Sequence, residues 1–259
     1  MQKSEKYSKK KKKPSGLKQA IWVFIKVFII TIIIGTLAIG GLFTGSVFGL
    51  MDSGLGIDLD AITMNFSSTV YYTDKNGEVK DFEVLFQNQD RIWADITQTP
   101  KYLQDAFVAI EDERFYKHKG MDIPRTARAT FNYIFKGQSS FGGSTITQQL
   151  IKNMTGDEKA NASRKIREIY RAISLERKLS KQQILELYLN TIYLANNCSG
   201  VQTASKKYFG KDVSELSLAQ CASIAGITQY PSLYDPLTNP QRNIEKQRIV
   251  LKKMLDLNM

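Results

Sequence analysis

The most constraining feature of this 259-residue sequence is an uncharged run of 24 residues from Val27 to Leu50, which follows a lysine-rich start. As an α-helix the run would extend about 36 Å, and the hydrocarbon core of a bilayer is about 30 Å thick. The sequence therefore predicts a membrane-spanning signal-anchor helix in residues 21–50. A cleavable signal peptide is the alternative, but its apolar region is usually about 7–15 residues long and ends at a small-x-small cleavage site, which is not evident here.

The N-terminal lysines predict the orientation of that helix. Residues 1–26 hold nine lysines against the single acid Glu5, whereas residues 51–259 carry a net charge of only +3. By the positive-inside rule, residues 1–20 form a cytoplasmic tail and residues 51–259 lie outside the membrane. A basic tail beside a span is typical of a topology signal that contacts anionic lipid, and the near-neutral remainder gives no indication of nucleic-acid binding.

Cys198 and Cys221 are the only cysteines. On the oxidising side of a membrane they can form a disulfide, and as small apolar residues they can equally be buried free thiols, so both interpretations stay open. One histidine and two cysteines at these spacings match no zinc-ligand pattern.

Beyond the predicted span, residues 51–95 are predicted to form a linker and a β-hairpin, and residues 96–259 one mostly helical domain. Asn76-Gly77 lies between two β-prone runs, which is typical of a tight hairpin turn. From Pro100 onward, apolar residues recur at helical spacing, starting with Leu103 and Phe107. Capping-box patterns predict three helix starts, at Thr145–Gln148, Ser180–Gln183 and Ser217–Gln220.

The first of three polar clusters with candidate chemistry is Glu111–Gly120, which holds the only histidine, His118. Glu111 ends a predicted helix beside the apolar residues Ile110 and Phe115. Partial desolvation makes a carboxylate a better proton acceptor, so Glu111 is a candidate general base. The alternative is a solvated helix end that contains a hydrogen-bonded structural histidine.

The second cluster is Phe141–Gln149. Its two glycines allow the backbone to approach a ligand closely, and the amide groups at the start of the following helix suit an anion. The Ser, Thr and Gln side chains add hydrogen-bonding groups for sugar hydroxyls. An ordinary capped helix is the alternative.

The third cluster is Arg164–Glu168, on a predicted helix with an apolar stripe that is expected to face inward. The stripe consists of Ile166, Ile169, Tyr170 and Ile173. Glu168 lies on the opposite side of that helix, one turn from Arg164 and one turn from Arg171. With Lys152, these residues predict a basic wall for a pyrophosphate, with Glu168 held anionic in it. The alternative is a set of surface ion pairs.

Taken in order, these clusters resemble the motifs of the family 51 glycosyltransferases, the peptidoglycan polymerases that occur alone or as the N-terminal half of class A penicillin-binding proteins. The resemblance covers about residues 100–240. Its pieces include Glu111-Asp-x-x-Phe115-x-x-His118-x-Gly120, Gly143-Ser-Thr-x-Thr-Gln-Gln149, Arg164-Lys-x-x-Glu168 and Lys181-x-x-Ile-Leu-Glu-x-Tyr-Leu-Asn190. Gln220 departs from the pattern, because many members carry an acid there, but it affects no catalytic assignment.

The resemblance implies a mostly α-helical, lysozyme-like domain that transfers a glycan from polyprenyl pyrophosphate to lipid II, with inversion to a β-1,4 link. Glu111 is implied as the base that deprotonates the acceptor hydroxyl. Glu168 is implied as a second essential glutamate, and its role stays open between holding a divalent cation (Mg²⁺ or Mn²⁺), holding basic residues and assisting the base. No organic cofactor is implied. The implied substrate-binding residues are Ser144, Thr145, Gln148, Gln149, Lys152, Arg164 and Lys165. The implied supporting residues are Asp112, Arg114, Phe115, His118 and Asn190.

The resemblance also implies a location and partners. The substrates are lipid II and the growing glycan on polyprenyl pyrophosphate, at the outer face of a bacterial cytoplasmic membrane, and the protein partners are a cross-linking transpeptidase and division or elongation proteins. One apolar segment predicts a surface that enters the membrane interface, with core packing as the alternative. Its residues are Phe131, Tyr133, Ile134, Phe135 and Phe141.

Other functions make different demands on these residues. A lysozyme-like hydrolase or lytic transglycosylase also uses a glutamate in a related helical fold, but it needs neither a basic wall nor a lipid anchor. A non-enzymatic cell-wall scaffold would tolerate the loss of Glu111 and Glu168. The sequence has no Lys-Thr-Gly motif, so no penicillin-binding transpeptidase is expected in it. A monofunctional enzyme and a truncated bifunctional relative both remain open.

Overall fold

The structure is a computed structural model that describes residues 21–31, 33–35, 68–73, 79–85, 92–136, 143–155 and 162–259. The chain divides into two units, Met1–Leu55 and Gly56–Met259. In the first unit, a helix (α1) includes residues 21–31 and 33–35. Among the described residues, no helix is both long enough and apolar enough to cross a membrane. The predicted tail, residues 1–20, and half of the predicted span, residues 36–50, lie outside the described residues.

In the second unit, two strands precede the helices. β1 (Ser68–Thr73) pairs antiparallel with β2 (Val79–Leu85), and the register shifts between Val70 and Tyr71. The strands flank the predicted turn at Asn76-Gly77, which itself lies outside the described residues.

From residue 101 onward the described chain is mostly helical, as the sequence predicts. The helices are α2 (Lys101–Glu111), α3 (Ile123–Lys136), α4 (Ile146–Thr155), α5 (Ala162–Lys178), α6 (Lys181–Thr191), α7 (Val201–Phe209), α8 (Leu218–Ile227) and α9 (Pro240–Asp256). Single 3-10 turns form at Phe115–Lys117 and Val213–Glu215.

Two of the three predicted capping boxes are complete. Ser180 and Ser217 each accept the backbone N–H three residues ahead, and the glutamine there accepts the backbone N–H of the serine. These caps satisfy amide groups that have no partner within a helix, and they fix the starts of α6 and α8. At α4, Thr145 makes its half of the box with the backbone N–H of Gln148, but the Gln148 side chain bonds elsewhere.

The hydrophobic core surrounds α8, in which every residue from Cys221 to Ile227 is buried. α8 packs against α2 and α9, and α4 packs against α5 and α6. Leu103 and Phe107 on α2 are fully buried, as their helical spacing predicts. These contacts hold the C-terminal end of α2 beside α4 and α8, and this arrangement positions the site.

The prediction for the inner face of α5 is wrong. The stripe from Ile166 to Ile173 is only half-buried, whereas Glu168, Ala172 and Leu175 form the buried face. Glu168 pairs with Lys165 and Arg164 of the same helix, and Lys165 in turn donates to Ser144 and Gln148, so a charged residue takes the inward position. Cys198 and Cys221 are both buried and free, so the structure contains the thiols and not the disulfide.

Candidate active site

Glu111 is the last residue of α2, and its carboxylate meets two other segments. Its Oε2 accepts a hydrogen bond from Gln149 Nε2 of α4 at 2.7 Å. Its Oε1 accepts one from the Thr228 hydroxyl, at the residue that follows α8. Both donors are neutral, so they orient the carboxylate without pairing its charge.

The side chain of Gln149 is itself held in place by a residue of α6. Its Oε1 accepts a hydrogen bond from the Tyr188 hydroxyl of α6 at 3.1 Å. The pKa of this tyrosine is raised well above its usual value, first by complete burial and then by the charges of Glu111 and Asp112. Tyr188 therefore stays a hydrogen-bond donor across the physiological range, and it fixes the amide of Gln149 with its N–H₂ toward Glu111.

Glu111 lies in the wall of a cleft of about 620 Å³. The volume falls within the range of about 300–1,000 Å³ that is usual for ligand sites. Three cations also line it, namely Arg125, Lys152 and Lys246. The cleft thus combines one carboxylate with an excess of positive charge, which suits a substrate that carries both hydroxyls and phosphate.

Asp112, next to the candidate base, lies at the centre of a buried network. Its Oδ2 accepts the backbone N–H of Ile146 at 3.0 Å and is 2.9 Å from His118 Nε2, and its Oδ1 is 3.7 Å from the Arg125 guanidinium. Arg125 also donates to the backbone carbonyl of Glu111. Asp112 therefore joins the end of α2 to the start of α4 and occupies an amide that the sequence assigned to an anionic ligand.

His118 extends this network to a second buried carboxylate. Its Nδ1 is 3.9 Å from Glu176 Oε1, which accepts hydrogen bonds from Thr147 at 2.5 Å and from Lys181 at 2.7 Å. Burial lowers the pKa of the Lys181 ammonium, and its hydrogen bond to Glu176 opposes that shift. His118 is thus a buried link between α2, α4 and α5.

Two of the implied substrate-binding residues are buried in packing contacts. Thr145 and Gln148 both donate side-chain hydrogen bonds to the carbonyl of Gly120, at 2.8 and 3.2 Å. Gly120 has φ +88°, and a Cβ on it would lie 2.7 Å from the backbone of Ala172. These contacts seat the loop after α2 against α4 and α5, so in this structure both side chains support the site.

Glu168 lies in a cationic surrounding and is only 6% exposed. Lys165 donates to Glu168, to Ser144 Oγ at 2.7 Å and to Gln148 Oε1 at 2.9 Å. Arg164 is 3.9 Å from the other oxygen of Glu168. Arg164, Lys165 and Glu168 therefore come together as a cluster in which the carboxylate is buried and the two cations are partly exposed.

The donors around Glu168 do not fit a divalent cation. Hard cations such as Mg²⁺ need several oxygen ligands, whereas here one carboxylate stands between Lys165 and Arg164. Across the described parts of the chain, no group of three or more His, Cys, Asp or Glu side chains could hold a metal ion. In this structure the cluster is an ion-paired one.

The remaining implied residues support other parts of the fold. The Arg114 guanidinium lies 3.3 Å from Asp122, away from Glu111. Phe115 is fully buried, with the Lys181 ammonium 4.3 Å from its ring centroid. The Asn190 amide holds residue 94 against α6 through hydrogen bonds to both the N–H and the carbonyl of Ala94.

Sequence reasoning missed Thr228 and Lys246, which both line the cleft near Glu111. Thr228 follows Glu111 by 117 residues, so no local pattern connects them. Lys246 belongs to α9 and is 6% exposed. The signal available in the sequence was the position of this lysine on the apolar face of α9, an otherwise amphipathic helix.

Part of the segment predicted to enter the membrane interface is exposed. Phe131 and Phe135 on α3 are 55% and 70% exposed, and their ring centroids are 4.6 Å apart. The side chains of Tyr133 and Ile134, and all of Phe141, lie outside the described residues.

Comparisons with known proteins find related sequences and a related solved structure. A sequence model of the family described as Transglycosylase matches residues 76–255. Penicillin-binding protein 1A of Clostridium botulinum is 39% identical over 96% of this chain, and the chain covers 30% of that relative. Penicillin-binding protein 1A/1B of Bacillus subtilis is 34% identical over 97% of this chain, and the chain covers 26% of it. The crystal structure of penicillin-binding protein 1A from Haemophilus influenzae is 25% identical, with a TM-score of 0.40 over 75% of this chain and 19% of that one.

Proposed function

Because this chain belongs to the transglycosylase family, we propose that it is a peptidoglycan glycosyltransferase that polymerises lipid II into β-1,4 glycan strands. The donor is the growing glycan on polyprenyl pyrophosphate, and the acceptor is lipid II. The observation that carries the proposal is the carboxylate of Glu111, oriented by the neutral donors Gln149 and Thr228 in the wall of a cleft lined by three cations.

In the proposed transfer, Glu111 takes the proton of the acceptor hydroxyl. The hydroxyl oxygen forms a bond to the anomeric carbon of the donor on the face opposite the pyrophosphate, and the bond between that carbon and the phosphate oxygen breaks. Glu111 suits the base because its carboxylate is held in one orientation by two hydrogen bonds and, among the described residues, forms no ion pair at contact distance.

The leaving pyrophosphate is already anionic, so it needs positive charge and not an acid. Lys152 in the cleft wall supplies one cation, and Arg164 and Lys165 lie on the neighbouring α5. In this proposal, Glu168 keeps the side chains of Arg164 and Lys165 in place. Every proposed step uses side chains of this chain, without a metal ion.

We place the reaction at the outer face of the cytoplasmic membrane. A polyprenyl-linked substrate stays in the bilayer, so the enzyme has to work at its surface. The apolar run from Val27 to Leu50 and the exposed Phe131 and Phe135 support this location. A cross-linking transpeptidase and division or elongation proteins are the partners that such a polymerase needs.

The test is the polymerisation of labelled lipid II by the detergent-solubilised chain, resolved on a gel. The parent and Glu113→Gln are expected to give ladders of glycan, and Glu111→Gln is expected to give none. Glu113 is a matched control because it lies two residues away, is exposed and pairs with Lys253. Shortening of preformed glycan would indicate a hydrolase, and a folded parent that makes no polymer would refute the proposal.

A further inference from the structure

Lys246 is a buried cation in the same cleft as the proposed base. It extends from α9, is 6% exposed and lines the cleft with Glu111 and Thr228. Its Nζ donates to Gln229 Oε1 at 2.6 Å and lies 5.4 Å from the ring centroid of Tyr234. Among the described residues, no carboxylate forms an ion pair with this ammonium at contact distance.

Burying an ammonium with so few partners is unfavourable, so packing alone does not account for the charge. Burial lowers the pKa of Lys246, and the charge of Glu111 is what opposes that shift. The backbone also makes room for this side chain, since a Cβ on Gly226 of α8 would lie 3.0 Å from Lys246 Cγ. The lysine is therefore held in the cleft at a cost to stability, which is typical of a functional residue.

Lys246 also acts on the segment that orients Glu111. Its hydrogen bond fixes Gln229, the residue after Thr228, and Thr228 donates to Glu111. We propose that Lys246 is a positioning residue for the transfer: its bond to Gln229 holds Thr228 in place, and Thr228 in turn orients the carboxylate of Glu111. This inference rests on the proposed function, because it assigns Lys246 a role in that reaction.

Other charged and titratable groups face Glu111 from the elements around it. Asp112 follows it in the chain and has its own network of partners. Arg125 of α3 donates to the Glu111 carbonyl, Lys152 of α4 is exposed, and Tyr188 of α6 stays neutral. Lys246 is thus the buried lysine of the cleft.

The experiment compares Lys246→Met, Lys246→Arg and the control Lys252→Met in the full chain, with kcat and KM for lipid II measured separately. Lys252 lies on the same helix and is exposed. In Lys246→Met, kcat/KM at neutral pH is expected to fall about 10-fold, mainly through kcat, because Thr228 no longer holds the Glu111 carboxylate in one orientation. Lys246→Arg keeps a donor for Gln229 and is expected to restore most of the activity.

Thermal unfolding separates this role from a structural one. Removing a buried charge is expected to leave the unfolding temperature of Lys246→Met unchanged or raised, although its activity falls. A loss that appears mainly in KM, no rescue by Lys246→Arg, or an activity loss matched by a lower unfolding temperature would overturn the inference while leaving the proposed function intact. An inactive parent and an inactive Lys252→Met would overturn both.

Discussion

Replacement of Asp112 by alanine tests the network that joins the candidate base to α4. Asp112 is fully buried, and it serves the Ile146 amide, the His118 ring and the Arg125 guanidinium together. In Asp112→Ala the amide and the ring lose their acceptor, and the guanidinium loses one nearby carboxylate. Glu113→Ala is the matched control, because the next acid along the chain is exposed and pairs with Lys253 at the surface.

The expected cost of Asp112→Ala is about 3–5 kcal/mol. A buried donor left without its acceptor costs about 1–3 kcal/mol, and breaking a buried ion pair by removing one partner costs about 3–5 kcal/mol. These two costs overlap at one carboxylate and do not add, so we use the larger range as the estimate. The exposed pair of Glu113 is worth about 0–1 kcal/mol.

The measurement is thermal unfolding of the detergent-solubilised chain, followed by tryptophan fluorescence. At about 2–4 °C per kcal/mol for a domain of this size, Asp112→Ala is expected to unfold roughly 6–20 °C below the parent, and Glu113→Ala within about 4 °C of it. Activity is expected to fall as well, since the start of α4 carries Gln149 toward Glu111. Equal unfolding temperatures for the two variants would refute the reasoning that this network supports the fold.

Three further outcomes follow from individual contacts. Gly120→Ala is expected to lower the free energy of unfolding in urea by several kcal/mol, because Gly120 has φ +88° and an added Cβ would lie 2.7 Å from the backbone of Ala172. Gly210 has φ +65°, but an added Cβ would meet nothing within 4 Å, so Gly210→Ala is expected to cost about 1 kcal/mol. A similar cost for both would contradict this. Ser180→Ala removes the cap of α6 and is expected to lower the free energy of unfolding by about 1 kcal/mol. An unchanged free energy of unfolding would contradict a stabilising role for this cap. Burial raises the pKa of the Cys221 thiol to about 12, so iodoacetamide is expected to label it only after denaturation, as mass spectrometry can check; prompt labelling of the native chain would contradict it.

Much of the fold could be predicted because its signals are local. The spacing of Leu103 and Phe107 marks the buried side of α2, and the boxes at Ser180 and Ser217 mark the starts of α6 and α8. α5 shows where local reasoning fails. Its isoleucines form the more apolar stripe, but Lys165 links Glu168 to Ser144 and Gln148 on the α4 side, and the Glu168 face is the buried one.

The site was predictable in its residue types but not in its connections. In the sequence, Glu111 and Gln149 belong to separate motifs. Only the packing of the helices brings their side chains within hydrogen-bond distance. Thr228 and Lys246 come from segments more than a hundred residues away in sequence, where no spacing rule applies. Thr145 and Gln148 have the hydrogen-bonding groups of a ligand site, yet the nearby Gly120 carbonyl takes both as partners.

The two glutamates differ in what surrounds them, and this difference separates their roles. Glu111 accepts hydrogen bonds from the neutral groups of Gln149 and Thr228 and borders the cleft. Glu168 is buried against Lys165 and Arg164, so its charge helps to hold these two cations in place. In the proposed reaction, the surroundings of Glu111 suit a base that faces the substrate, and those of Glu168 suit a fixed charge. Exchange of the two environments, and not of the two residues, is what would reverse their functions.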